Sequence, residues 1–230
     1  MEWLQNILEF DKEVFLFLNS FHNVFWDTIM LMVTRKETWI PFYVVILFYM
    51  IKNYKVKALL VIFFLSLAIL LSDQFSVILK ESFQRLRPVH DPVIGPLVHN
   101  VLRKGGDFGF VSSHAANGFA IFIFTTRVFK NRGYQFLLLF WTLLFVYSRI
   151  YSGVHYPLDI LGGALLGWGI GELCFKILML VENRYLLSRS PEISKIRLSN
   201  VQFETILIVF SVLVFTVFSV SGILHHYKYL

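Results

Sequence analysis

One cysteine, Cys174, is all the chain has, and it lies inside an apolar run. An internal disulfide is excluded, and the thiol says nothing about redox compartment. Charge is scarce too: Asp, Glu, Lys and Arg make up 16% of the 230 residues, against 57% hydrophobic and 17% aromatic, with 25 phenylalanines. That balance excludes a soluble domain and is the composition of a polytopic helical membrane protein in one bundle. Also missing is a basic n-region ahead of an apolar h-region, so no cleavable signal peptide is expected. Internal repeats, which a transporter would be expected to show, are absent. The formal net charge of +6 would suggest nucleic acid in a soluble protein. Here the lysines and arginines lie between apolar runs, where they set topology, and no nucleic-acid partner is expected.

The expected fold class is all-α: a membrane helical bundle of six transmembrane helices plus N-terminal interfacial helices, in a single domain over 1–230. Residues 2–18 mix Trp3, Leu4, Ile7, Phe15 and Leu18 with Glu2, Glu9, Asp11, Lys12 and Glu13. They are too polar to span and read as an amphipathic helix lying in the interface. Phe25 to Val33 is too short for a core that needs about 20 residues, so it is interfacial or re-entrant and completes an N-terminal segment over 1–36. Spans are expected at Trp39–Ile51, Ala58–Leu79, Ser112–Phe129, Tyr134–Tyr147, Pro157–Val181 and Thr205–Leu224, the last within an extra C-terminal segment over 201–224. Gly163, Gly167 and Gly171 recur every fourth residue, a small-residue stripe that lets another helix approach closely. Glu172 and Lys176 can pair at i, i+4.

Six spans put the linkers 52–57, 127–133 and 182–200 on one side. They carry Lys52, Lys55, Lys57, Arg127, Lys130, Arg132, Arg184, Arg189, Lys195 and Arg197, and the positive-inside rule makes that side cytoplasmic. The longest loop, Glu81 to Val111, then faces outward with the junction 148–156, together with Arg35, Lys36, Arg103 and Lys104. A loop of that length in a compact protein is functional or disordered.

Three polar stretches converge on that outer face: Lys80 to Pro88, Ser112-Ser113-His114, and Ser148 to Asp159. Pro157 suits the first turn of a helix. His155 then lies just before that helix and Asp159 on its first turns, close enough for the carboxylate to bond one ring nitrogen and free the other. Taken alone, Arg149, His155 and Asp159 serve equally well as polar caps of two membrane helices at an interface. With the other stretches the pattern is more specific. The serine-bearing helix start at Ser112 and Ser113 is a ready anion site. Lys80, Arg87 and Arg149 at one bilayer depth would repel each other without an anion between them, which points to phosphate. Of the two histidines, His155 has Asp159 to orient it as nucleophile, and His114 is placed as general acid. The sum fits phosphoryl transfer by positioning and charge neutralisation.

The chain resembles the type 2 phosphatidic acid phosphatase superfamily, integral-membrane lipid phosphatases whose signature is K-x6-R-P, then P-S-G-H, then S-R-x5-H-x3-D. Lys80 to Pro88 fits the first motif in full, and Ser148 to Asp159 the third. The second departs, Val111-Ser112-Ser113-His114 replacing Pro with Val and Gly with Ser. The resemblance implies a six-helix core, a phosphohistidine intermediate, and neither metal nor other cofactor. By it Lys80, Arg87, Ser112, Ser113 and Arg149 hold phosphate, while His114, His155 and Asp159 do chemistry. The expected partners are a membrane lipid phosphate and the bilayer itself. The expected protein is an inner-membrane bacterial enzyme facing the periplasm, acting on undecaprenyl diphosphate. Lipid A, phosphatidylglycerophosphate and phosphatidate are rival substrates, and a non-catalytic lipid-phosphate binder or transporter is the rival class.

Other polar residues are expected to be structural. Asp73 lies seven residues before Lys80 on the same helical face, as a partner for it or for a neighbouring helix. His22, His90, His99, His225 and His226 are expected to be solvated at the interface, and Tyr151 and Tyr156 to belong to the interfacial aromatic belt.

Overall fold

The computed structural model describes residues 2–102, 105–186 and 192–227; Arg103, Lys104 and Arg189 lie outside them. Eight α-helices follow in order: α1 Glu2–Asn19, α2 Val24–Val33, α3 Ile40–Tyr54, α4 Ala58–Phe83, α5 Ser113–Phe129, α6 Arg132–Tyr151, α7 Pro157–Val181 and α8 Asn200–His226. No strand forms among the described residues. The last six correspond to the six expected spans. Four stretches are long and apolar enough to cross a membrane, Lys36–Phe83 (which holds α3 and α4), Arg132–Tyr151, Pro157–Leu186 and Asn200–His226.

α5 is the axis of the bundle, enclosed by α4, α6 and α7. Its contact with α7 is backbone on backbone. A Cβ on Gly163 would stand 2.5 Å from the Ser112 carbonyl oxygen, one on Gly167 2.1 Å from that of Ala116, and one on Gly171 2.9 Å from that of Ala120. The partners advance in the same direction along both helices, so α5 and α7 run parallel and their N-termini meet. The expected glycine stripe is thus a packing seam. It brings two positive helix-dipole ends together at one end of the bundle.

At the opposite end, Lys57 between α3 and α4 is buried and bonded at 2.7 Å to Glu182, whose same oxygen accepts the Ile193 N–H at 2.7 Å. One of the lysines counted for topology is therefore neutralised inside the protein. Glu172 lies 3.0 Å from Arg127 and 3.8 Å from Lys176, so the cross-helix partner is the nearer. An aromatic cluster joins α3, α6 and α8: Trp39 stacks on Phe210 at 5.6 Å and meets Trp141 edge-on at 6.0 Å.

α1 keeps Trp3, Phe10 and Phe17 exposed, as an interfacial helix requires, but turns Asp11, Phe15 and Asn19 inward on one i, i+4 row. Asn19 donates to the Ile150 and Tyr151 carbonyls at 3.1 and 2.8 Å and accepts the His99 N–H at 2.9 Å. Tyr151 and Tyr156 are corrections to the expected aromatic belt: both are 1% exposed. Their hydroxyls bond Asp27 on α2 at 2.6 Å and Asp91 in the long loop at 3.1 Å, because α1, α2 and that loop cover these span ends. His99 is likewise engaged rather than solvated, 2.8 Å from Asp27 and stacked on His22 at 3.7 Å.

The seam makes a clear test. A Cβ on Gly169 meets nothing within 4 Å, so Gly169→Ala should leave Tm in detergent unchanged or slightly higher, since alanine is the better helix former. Gly167→Ala should cost about 1–3 kcal/mol by overpacking against backbone that cannot step aside. Equal Tm values for the two variants would rule out the close contact.

Candidate active site

The paired N-termini of α5 and α7 collect the motif residues. Ser112 caps α5, its Oγ accepting the Ala115 N–H at 3.4 Å while its own N–H donates to the Asp159 carbonyl at 2.9 Å. Both groups of this wholly buried serine are thus used inside the fold. Ser113 points elsewhere: its Oγ lies 2.5 Å from Lys80 Nζ and 2.6 Å from Ser76 Oγ. Lys80 stands on the last turns of α4, so a single cation faces the start of α5 across the helix gap. The expected pairing of Lys80 with Asp73 is not made. Among the described residues Asp73 forms no ion pair, and its charge acts on Lys80 only at a distance.

Arg87 is carried by the long loop, which closes on itself. Arg87 N–H donates to the Asp107 carbonyl at 2.9 Å, and Gly109 N–H to that of Arg85 at 2.8 Å. This antiparallel clamp aims the Arg87 guanidinium, whose Nε donates to the Phe108 carbonyl at 3.1 Å. Gly109 has to be glycine, because a Cβ there would lie 2.7 Å from Asp159 Oδ2. Arg149, on the last turn of α6, donates to Thr34 Oγ1 at 2.5 Å and keeps Nε without a partner among the described residues.

His155 is buried, with Nδ1 3.3 Å from Asp159 Oδ2. The same oxygen accepts the Tyr156 N–H at 3.0 Å, closing the first turn of α7. Asp159 Oδ1 accepts from Arg85 Nη1 at 3.0 Å. Burial, then the charges of Arg87, Arg149 and Lys80, push the His155 pKa well below its ordinary value. Both causes favour the neutral ring. His114, on the first turn of α5, lies against Phe145 with ring centroids 5.3 Å apart. Arg149, His155, Lys80 and Arg87 are all within electrostatic reach of it. Two imidazoles, one oriented by a carboxylate, thus share a pocket with three cations and a helix N-terminus. Such a pocket suits a dianionic phosphate, with one ring nitrogen free to approach phosphorus.

Lys80, Arg87, Ser113, Arg149, His114, His155 and Asp159 come together, and Ser112 sits beneath them. Sequence reasoning missed Asp11, Arg85 and Gly109. Arg85 was detectable as the alternate residue to Arg87 in an extended segment, where every second side chain shares a face. Asp11 carried no such signal, since its inward row with Phe15 and Asn19 shows only in the structure.

A cavity of about 540 Å³ runs between α3, α4, α5 and α6 from Ser113 and His114 down to Thr125. Twelve helical steps separate its ends, about 18 Å of helix axis. Tyr43, Leu47, Leu65 and Ile121 are among its mostly apolar lining, and Asp73 and Asn117 supply polar atoms near the top.

The family profile of the PAP2 superfamily matches residues 58–181. Lipid A 4'-phosphatase of Bacteroides thetaiotaomicron is 38% identical over 179 residues, which cover 76% of this chain and 78% of that relative. Undecaprenyl-diphosphatase BcrC of Bacillus subtilis is 35% identical over 85 residues, 37% of this chain and 43% of that protein. Among solved structures, Aquifex aeolicus LpxE superposes with a TM-score of 0.57 at 25% identity, covering 71% of this chain and 93% of that one. With the profile spanning α4 to α7 and all three motifs, this chain belongs to the PAP2 superfamily and is a multi-pass membrane lipid phosphatase.

Proposed function

We propose that the protein removes a phosphate monoester from an acylated sugar lipid of the lipid A class, through a phosphohistidine on His155. The observation that carries this reading is the wall shared by the phosphate pocket and the apolar cavity. Ser113 and His114 belong to both, so a phosphate held by Lys80, Arg87, Ser113 and Arg149 has its leaving oxygen directed at His114 and an acyl chain in the cavity. The volume lies within the range of small-molecule ligand sites and suits one acyl chain. Asn117 Oδ1 and Trp141 Nε1 are buried without partners among the described residues, and both residues line the cavity. They suit a leaving group with hydroxyls or amides beyond the scissile oxygen, which an isoprenoid chain does not offer. The breadth of the match to a lipid A phosphatase, against the partial one to an undecaprenyl-diphosphatase, supports putting lipid A ahead of the undecaprenyl diphosphate expected from sequence.

In this reading neutral His155 attacks phosphorus through Nε2 while Nδ1 keeps its proton toward Asp159. The bond to the alcohol oxygen breaks, and protonated His114 gives that oxygen its proton. Water then attacks the phosphohistidine, His114 takes the water's proton, and inorganic phosphate leaves. Lys80, Arg87 and Arg149 neutralise the equatorial oxygens throughout. The site faces the periplasm across the inner membrane, supported by the cation-rich linkers at the other end of the bundle.

Phosphate release from purified lipid A, undecaprenyl diphosphate, phosphatidylglycerophosphate and phosphatidate decides the substrate. Lipid A should lead by at least about tenfold, equivalent to about 1.4 kcal/mol at the transition state. A lead for undecaprenyl diphosphate would overturn the substrate while leaving the enzyme class intact.

The histidine roles separate by leaving group. His155→Ala should abolish labelled phosphoenzyme on every substrate. His114→Ala should lose about 10²–10⁴-fold on lipid phosphate but far less on a nitrophenyl phosphate, whose leaving group needs no proton. Equal losses on both substrates, or label in His155→Ala, would refute the assignment.

Orientation is read at Gly106, which is exposed and has open space around its Cβ position. Gly106→Cys should react with an impermeant thiol reagent in outer-permeabilised cells. Labelling only after lysis would place the site in the cytoplasm.

A further inference from the structure

We propose that Asp11 and Arg85 are positioning residues of the site, a carboxylate–guanidinium bridge through which the N-terminal helix holds Asp159 in place against His155. The inference rests on the reading above in which Asp159 orients a nucleophilic His155. Arg85 Nη2 lies 2.6 Å from Asp11 Oδ2, and its Nη1 lies 3.0 Å from Asp159 Oδ1. One planar fork thus joins the carboxylates of Asp11 and Asp159, from two helices far apart in sequence, a task the single-point charge of lysine cannot match. The fork is fixed from a third side, with Cζ 4.2 Å from the Tyr156 ring centroid.

Asp11 does more than neutralise Arg85. Its other oxygen accepts the Leu158 N–H at 2.9 Å, one of the first-turn donors of α7 that lacks an intrahelical acceptor. It therefore touches the backbone beside Asp159 and, through Arg85, the Asp159 side chain. Asp11 is 4% exposed and Asp159 fully buried. Burial raises the Asp11 pKa and Arg85 opposes that, so neither carboxylate is comfortable without the guanidinium. Asp159 then has little freedom left: Oδ1 is held by Arg85, and Oδ2 by Tyr156 N–H and His155.

A bridge that merely staples the fold would affect Tm and turnover together. A bridge that sets the field and aim of Asp159 also shifts the ionisation of His155, in a direction that depends on which charge is removed. The other groups facing His155 are Lys80 from α4, Arg87 and the Gly109 backbone from the loop, His114 from α5 and Arg149 from α6, and all stay constant.

The test is kcat, KM and the acid limb of kcat/KM on a nitrophenyl phosphate for the full chain and for Asp11→Asn, Arg85→Gln and Arg85→Lys. Asp11→Asn keeps size and an acceptor for Leu158 N–H, so it preserves the fold. Arg85→Gln should lower kcat by about 100-fold, as expected for a catalytic group displaced by about 1 Å, with KM nearly unchanged. It leaves the Asp159 charge wholly to His155, so the acid limb should move to higher pH. Asp11→Asn concentrates the Arg85 charge on Asp159, so its acid limb should move to lower pH. Arg85→Lys should hold the limb near its original position while kcat stays low. Full kcat in all three variants, or losses that track Tm with an unmoved acid limb, would overturn the proposal. A failure of the underlying reading looks different: the unmodified protein would then form no His155-dependent phosphoenzyme.

Discussion

A carboxylate with no access to water sits at the centre of this molecule. Burying Asp159 would cost several kcal/mol if it were unpaired, so its surroundings have to supply every partner it needs. The first turn of α7 gives the Tyr156 N–H, His155 gives a ring nitrogen and Arg85 gives half of its fork. Gly109 gives room. Each of these demands something further away. Tyr156 and His155 need α7 to begin where it does, hence Pro157. Arg85 needs a second anion, hence α1. Gly109 needs the loop clamp. The seam between α5 and α7 then determines that this arrangement lies beside Ser113 and His114 and not elsewhere.

The cations obey the complementary rule. Lys80, Arg87 and Arg149 converge on one pocket, and only Lys80 and Arg149 find side-chain hydroxyl partners there. Among the described residues none of the three has a carboxylate in contact, the arrangement that the proposed phosphate would complete. In the proposed function the apolar cavity beyond Ser113 and His114 would take the tail, by shape and dryness rather than by charge.

Much of this was legible in the sequence, for a physical reason. In a chain with so little charge, an arginine, histidine or aspartate at the end of an apolar run has few reasons to be there, so the three motifs stood out and their convergence followed from six spans. What was illegible depended on tertiary partners. Asp11 lies among Glu9, Lys12 and Glu13, and nothing local distinguishes it from its solvated neighbours. Tyr151 and Tyr156 look like belt residues because the belt rule describes bare span ends, while these ends are roofed by α1 and the loop. Asp73 and Lys80 share a face, but two helical turns separate them by about 10 Å, and Ser113 on the next helix is nearer. Lys57 reads as a topological charge because its partner, Glu182, is a whole bundle away in sequence.

The bond from Leu158 N–H to Asp11 also carries information about time. Its two ends are separated by 147 residues, so α1 is synthesised first and its counterpart near last. The ion-pair partner of Asp11, Arg85, is made in the first half of the chain, but the Leu158 N–H comes only with α7. Helices α3 to α6 can pack by contacts between neighbours in sequence, whereas the Asp11–Arg85–Asp159 bridge needs α1 and α7 together. The contact that ties α1 to the start of α7 is therefore long-range in sequence, and it cannot form before α7 is made.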